Sequence, residues 1–301
     1  MIKTKDVLTL GELDKREILN IIDFAINLKK DLKKGVSKPL LKNKTLAMIF
    51  QKPSTRTRVS FETGMFQLGG NAINLSSQDL QLSRGETIED TARTLSRYVD
   101  VVMARVYEHE TIEMLAKNST VPVINGLSNS FHPCQILADL MTIKEKKKKL
   151  EGVKLAWIGD GNNVCNSMIY GCSKVGISMS IATPKGFAPD AQVLKECKKI
   201  GDIELTQDPH KAVKNADVIA TDTFVSIHND AKRLKKFLPK YQVNEELFSK
   251  AKKDTIFMHC LPAKRGQEVT ASVIDGPHSV VWDEAENRLH SQKALLASLA
   301  F

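Results

Sequence analysis

The chain has 301 residues, with 44 Lys and Arg against 35 Asp and Glu for a formal charge of +9, 42% hydrophobic and 6% aromatic. This length suits about two domains of ~150 residues, each able to bury a core, and the composition excludes wholesale disorder. No apolar run approaches the ~20 residues that span a bilayer. The start, MIKTKDVLTLGEL, is broken by charges before a signal-peptide stretch develops. Five cysteines (Cys134, Cys165, Cys172, Cys197, Cys260) without a CxxC pair argue against a disulfide scaffold and for a reducing, cytoplasmic location. The basic excess is concentrated in runs such as Lys146–Lys149 and Lys232–Lys236. These read as solvated helix faces, because no zinc-finger, basic-zipper or aromatic RNA-binding pattern accompanies them.

In chain order, strands are predicted at Thr45–Phe50, Ala72–Leu75, Val101–Arg105, Val121–Ile124, Lys154–Ile158, Ser178–Ala182, Asp217–Thr221, Thr255–His259 and Ser279–Trp282. Amphipathic stretches lie between them. In the first, Ile18, Ile21, Ile22 and Ala25 form one helical face, with Asp14 and Glu17 as a capping pair. This alternation predicts an α/β protein of two doubly wound domains with parallel sheets, joined by interdomain helices. The predicted boundary falls at a helix from Pro133 to about Leu150, whose proline suits a first helical position. Residues 1–133 form the first domain and 134–285 the second. A C-terminal helix, 286–301, is expected to pack back on the first.

Ligands of open parallel sheets bind beyond the carboxyl ends of the strands. The unusual polar residues cluster there: Gln51 to Arg58, Arg105, His132 to Gln135, Gly159 to Asn163, Asp222 to Ser226, and His259 to Pro262. They are expected to face a cleft between the domains, as in an enzyme. Ser54, Thr55, Arg56, Thr57 and Arg58 precede a helical pattern. Hydroxyls, guanidinium groups and free backbone N–H groups would coincide at its N-terminus, a setting for phosphate. No GxxxxGK[ST] is present, so a nucleotide polyphosphate is not the expected ligand. Gly159-Asp160-Gly161 invites a dinucleotide reading, but Val164 replaces the third glycine and no acid follows the next strand. An NAD-dependent dehydrogenase is therefore a distant alternative. Adjacent residues on a strand point to opposite faces, which argues against His259 and Cys260 forming a nucleophile pair or a zinc site. His132, just before a helix N-terminus, suits a neutral imidazole donating to a carbonyl oxygen.

PSTRTR, ARVY, HPCQ, WIGDGNN, TDTFVS, HCLP and DEAENR occur in order along essentially the whole chain. With these motifs the sequence resembles the aspartate/ornithine transcarbamylase family. HCLP, and Arg84 where the aspartate branch carries a lysine, favour its ornithine branch. The resemblance implies transfer of the carbamoyl group of carbamoyl phosphate to the side-chain amine of L-ornithine, giving citrulline and phosphate. It implies no metal, no cofactor and no nucleic-acid or membrane partner, and it implies a homotrimer with sites at subunit boundaries. By resemblance, Ser54, Thr55, Arg56 and Thr57 hold the phosphate, while Arg105, His132, Pro133, Cys134 and Gln135 surround the carbamoyl end. Gln81 reaches a neighbouring subunit's site, and Arg288 is a further carbamoyl-phosphate contact. Asn163, Asp222, Ser226 and Ile227 match positions that grip the α-amino and carboxylate groups. Cys260 and Leu261 line the side-chain amine. Catalytic roles fall to Arg56, Thr57, Arg105, His132 and Cys260. The sequence departs from the pattern at Ser226-Ile227-His228, where the family has Ser-Met-Gly, and at Phe224, where a tryptophan is common. This leaves putrescine, lysine or an acylated ornithine as alternative acceptors.

Overall fold

The structure is a computed structural model describing residues 2–76, 78, 80–225 and 231–300. Two compact units divide the chain. The first comprises Met1–Met141 and Glu286–Phe301, the second Thr142–Ala285.

The first unit begins with α1 (Lys15–Lys33), which starts at a reciprocal capping box. The Asp14 carboxylate accepts from the Glu17 amide, and the Glu17 carboxylate from the Asp14 amide, each at 2.8 Å. Its Ile18, Ile21, Ile22, Ala25 and Leu28 are buried, as their spacing requires. There follow β1 (Thr45–Phe50), α2 (Thr55–Gln67), β2 (Asn71–Ser76), α3 (Ile88–Leu95), β3 (Val101–Arg105), α4 (His109–Asn118), β4 (Val123–Leu127) and α5 (Pro133–Lys147). The strands form one parallel sheet in the order β2-β1-β3-β4. β1 is buried along Leu46–Phe50, the near-continuous apolar run of a parallel strand covered on both faces.

The second unit runs through β5 (Lys154–Ile158), α6 (Asn163–Val175), β6 (Ser178–Ala182), α7 (Ala191–Cys197), β7 (Ile203–Thr206), α8 (Pro209–Val213) and β8 (Val218–Thr221). It continues with α9 (Glu245–Phe248), β9 (Ile256–His259) and α10 (Ala271–Ile274). Its parallel sheet has the order β7-β6-β5-β8-β9. The last helix, α11 (Val281–Leu299), carries residues of both units. From Glu286 onward it belongs to the first, where Lys29 of α1 donates to Asn287 at 2.7 Å and pairs with Glu286 at 3.1 Å.

Each sheet has one point where the chain reverses its direction of strand addition: between β1 and β3 in the first, between β5 and β8 in the second. At such a point the loops leaving the two strands diverge and open a crevice. The segments leaving β1, β3, β5 and β8 carry Ser54–Arg58, Arg105, Asn162–Asn163 and Asp222 respectively.

Two predicted strands differ. Ser279–Trp282 makes only an isolated bridge from Ser279 to Phe257 before α11 begins at Val281. The predicted Val121–Ile124 is displaced to Val123–Leu127, because Pro122 has no N–H to donate to a ladder. β7 was not predicted. It is an edge strand with a single buried residue, Ile203, so its apolar signal is weak. Among the described residues no helix is long and apolar enough to cross a membrane.

Candidate functional site

The first unit gathers a cationic, donor-rich cluster. Ser54 caps α2 with extended backbone, its hydroxyl accepting from the Thr57 amide at 3.3 Å. This turn presents the N-terminal end of a 13-residue helix, where amide dipoles favour an anion. Thr55 is exposed and Arg56 half-buried, while Thr57 is only 1% exposed. Arg58 turns outward to Glu62 at 3.0 Å, so the second arginine of the motif serves the helix surface.

Arg288 of α11, 3% exposed, is the hub. Its guanidinium donates to Gln135 Oε1 at 2.7 Å, to Thr57 Oγ1 at 3.4 Å, and to Gln292 Oε1 at 2.9 and 3.1 Å. Gln135 in turn donates to Asp139 at 2.8 Å. Gln292 donates to the Ser60 hydroxyl at 2.6 Å, and Ser60 donates to the Arg56 carbonyl at 2.6 Å. The side chains of α2, α5 and α11 are thus locked into one network around the α2 N-terminus.

His132 lies just before Pro133, the first residue of α5, and is 4% exposed. Burial, and then the positive charges of Arg288, Arg105 and Arg56, hold its pKa well below the usual histidine range. It is therefore a neutral imidazole in a cationic setting. Cys134 turns its thiol to the Asn125 carbonyl at 3.4 Å, and burial pushes that thiol up to about 12. Only its backbone can serve a ligand. Gln81 is exposed at the start of a 3-10 turn, Gln81–Arg84, and its hydrogen bonds do not reach the Arg288 network.

In the second unit Asn162 caps α6. Its Oδ1 accepts from the amides of Val164 and Cys165 at 3.0 and 3.1 Å, and its Nδ2 donates to Asp222 Oδ2 at 2.7 Å. The other Asp222 oxygen accepts from the Cys260 thiol at 3.3 Å. Asn163 is the first residue of α6. Leu261 follows Cys260 in the left-handed region, φ 54°. Ser226 and Ile227, and the departing His228, lie outside the described residues. Nearby, burial outweighs the Arg233 guanidinium 2.5 Å away and pushes Asp160 up to about 6, with Asp222 adding to the rise.

The ligating atoms of Asp222, His259 and Cys260 lie within 4.8 Å of one another. Both ring nitrogens of His259 are engaged, however: Nδ1 accepts from the Leu261 amide at 2.9 Å and Nε2 faces Glu268 Oε1 at 3.2 Å. A metal there could recruit His259 only by displacing the Leu261 amide from Nδ1 or Glu268 from Nε2. The glycines that invited a dinucleotide reading have tasks inside the protein. A Cβ on Gly159 would lie 2.5 Å from the Phe224 ring, and one on Gly161 2.2 Å from the Pro189 nitrogen.

Sequence reasoning passed over Ser60, Asp139, Gln292 and Glu268, and it placed Asn162 in a polar cluster without giving it a role of its own. Asn162 had a legible signal, an asparagine directly before a helical pattern. Gln292 stands four residues beyond Arg288, the spacing of helix neighbours.

Residues 5–145 match the aspartate/ornithine carbamoyltransferase carbamoyl-P binding domain, and residues 151–299 match the Asp/Orn binding domain of the same family. An ornithine carbamoyltransferase from Cenarchaeum symbiosum is 65% identical over 300 residues, covering 99% of each chain. The solved ornithine carbamoyltransferase from Pyrococcus furiosus superposes with a TM-score of 0.94 at 56% identity, covering 97% of this chain and 96% of that one. That from Thermus thermophilus superposes at 0.91 with 40% identity, covering 99% of each. With both of its units matched in order and relatives similar over nearly their whole length, the chain belongs to the aspartate/ornithine carbamoyltransferase family.

Proposed function

We propose that this carbamoyltransferase uses the first unit to hold carbamoyl phosphate and the second to present L-ornithine, releasing citrulline and phosphate. The reading rests above all on the buried Arg288, which donates to Thr57 at the α2 N-terminus and to Gln135 of α5, with burial and the Arg288, Arg105 and Arg56 charges keeping His132 neutral. Such a site attracts a small dianion and still offers an uncharged donor to a carbonyl oxygen.

Ser54, Thr55, Arg56 and Thr57 take the phosphate. Arg105, His132 and Gln135, with the backbone of Pro133 and Cys134, take the carbamoyl end, and Arg288 orders the set through Thr57 and Gln135. Asn163 and Asp222, with Ser226 and Ile227, receive the α-amino and carboxylate groups. The Cys260–Leu261 turn lines the δ-amine. That amine attacks as the neutral base, its lone pair forming a bond to the carbamoyl carbon. Negative charge builds on the carbamoyl oxygen, where Arg105, His132 and the Thr57 hydroxyl stabilise it. The carbon–oxygen bond to phosphate then breaks, the nitrogen's extra proton passes to the departing phosphate oxygen, and hydrogen phosphate leaves from the α2 terminus. We assign the active assembly as a homotrimer in which Gln81 serves a neighbouring subunit's site; its exposure is compatible with that role.

The test is an acceptor panel. Carbamoyl phosphate is supplied with ornithine, putrescine, lysine, N-acetylornithine or aspartate, and the carbamoylated product is measured. Ornithine is expected to give the highest kcat/KM. A better acceptor among the others would overturn the assignment of Asp222.

A further inference from the structure

We propose that His259, paired with Glu268, is a positioning residue for the amine-lining turn. It sets the Cys260–Leu261 backbone without touching substrate itself. The inference deepens the reading of Cys260 and Leu261 as the ornithine side-chain site and rests on that reading.

His259 ends β9, and its side chain and that of Glu268 are both wholly buried. The Leu261 amide donates to Nδ1 at 2.9 Å, so Nδ1 is an acceptor and the ring proton is on Nε2. Nε2 then donates to Glu268 Oε1 at 3.2 Å. The same carboxylate oxygen accepts from the Lys264 amide at 2.5 Å, which draws the far side of the turn to the same anchor. The His259 amide is itself fixed, donating to Glu284 Oε2 at 2.9 Å. Lys264 carries the link onward by donating through Nζ to the Val225 carbonyl at 2.7 Å. Imidazole, backbone and carboxylate therefore form a closed clamp around residues 259–264.

What the clamp holds is an unfavourable conformation. Leu261, with φ 54°, bears a side chain in a region that sterics reserve mainly for glycine. Its amide needs a fixed acceptor to stay there, and Nδ1 is that acceptor. The turn then leaves Cys260 on the side of Asp222, 3.3 Å from its carboxylate, with its thiol part-exposed. The pair is not an efficient way to fill a core. Glu268 Oε2 is buried without a hydrogen bond, and apolar side chains of similar volume would avoid that desolvation. Geometry rather than packing accounts for the polar pair.

The substitutions that separate the two ring nitrogens test this. His259→Asn places a carbonyl oxygen near the Nδ1 position, and His259→Gln places an amide near Nε2 while losing the acceptor for Leu261. His259→Gln is expected to raise the KM for ornithine about tenfold or more while the KM for carbamoyl phosphate stays within about twofold. His259→Asn should stay within about threefold of the wild-type ornithine KM. Equal effects of the two variants, or parallel rises in both KM values, would overturn the positioning role. Should His259→Gln not fold, ¹⁵N-histidine NMR of the unaltered protein decides: an unprotonated Nδ1 with a protonated Nε2 supports the clamp, and the opposite tautomer refutes it. Cys260→Ala tells the two failures apart. An unchanged ornithine KM in that variant means the turn is not the amine site. A raised one, with equal His259 variants, means only the clamp is wrong.

Discussion

Arg288 donates to Gln135 across 2.7 Å, joining helices whose contacting residues stand 153 positions apart in sequence. The same guanidinium reaches Thr57, so the C-terminal helix organises a site whose most recognisable motif is near the start of the chain. Arg288→Lys cannot reproduce this fork, because an ammonium lacks the planar set of donors. We expect a rise in the KM for carbamoyl phosphate of about tenfold or more. In a double-mutant cycle with Gln135→Ala the losses should fail to add, by about 0.5–3 kcal/mol. Steady-state kinetics of the three variants check this.

Arg56 is half-buried at the α2 N-terminus, and its side chain is not needed by the helix cap, which Ser54 supplies. Arg56→Ala should therefore keep the fold while lowering kcat by about 10²–10³. Circular dichroism and a turnover assay on the same preparation separate the two effects. Near-wild-type turnover would remove Arg56 from the phosphate site.

His132 makes a pH prediction. Burial and its three arginine neighbours depress its folded pKa below the ordinary 6.5. Between the two values the unfolded chain binds a proton that the folded chain does not. The contribution is thus complete above about 6.5 and is lost as pH falls toward the folded value. Denaturant midpoints measured from pH 8 downward should decline through this window in the wild type and less in His132→Asn. The kcat/KM for carbamoyl phosphate should show no acid limb attributable to an ordinary histidine.

Asn162 and Asp222 divide stability from specificity. Asn162→Ala removes a helix cap worth about 0.5–2 kcal/mol and also the donor that holds Asp222. Asp222→Asn leaves the cap in place. Both should raise the KM for ornithine and spare that for carbamoyl phosphate, but only Asn162→Ala should lower the denaturant midpoint appreciably.

At Gly159, φ is 127° and a Cβ would meet the Phe224 ring at 2.5 Å. Phe224 is itself stacked on Phe237, 4.5 Å between centroids, so it has little room to yield. Gly159→Ala is expected to cost about 1–3 kcal/mol or more, read as a shift in the unfolding midpoint.

Much of this architecture was legible from residue order, and the reasons differ by element. Strands such as Thr45–Phe50 and Lys154–Ile158 announced themselves because a parallel strand buried on both faces is an unbroken apolar run. The capped α2 N-terminus was readable because Ser54, Thr55 and Thr57 stand directly before a helical pattern. Ile203–Thr206 was not, since an edge strand half in water carries little apolar signal. Nor was the chain Asp139–Gln135–Arg288–Gln292–Ser60, whose members come from three helices and meet only in the folded first unit. Arg58 misled for the opposite reason. It shares the motif's charge, but one helix position turns it toward Glu62 and solvent.

The first unit is discontinuous, its opening segment ending at Met141 and its closing one beginning at Glu286. During synthesis the ribosome must deliver the whole intervening domain first. At about 5–20 residues per second that delay is on the order of ten seconds. Until then α1 has no Asn287 to receive Lys29, and the Thr57 turn has no Arg288. The nascent protein can complete the second unit while the first still waits for its keystone. The network around the Thr57 turn is therefore closed only after the segment from Glu286 onward has been made.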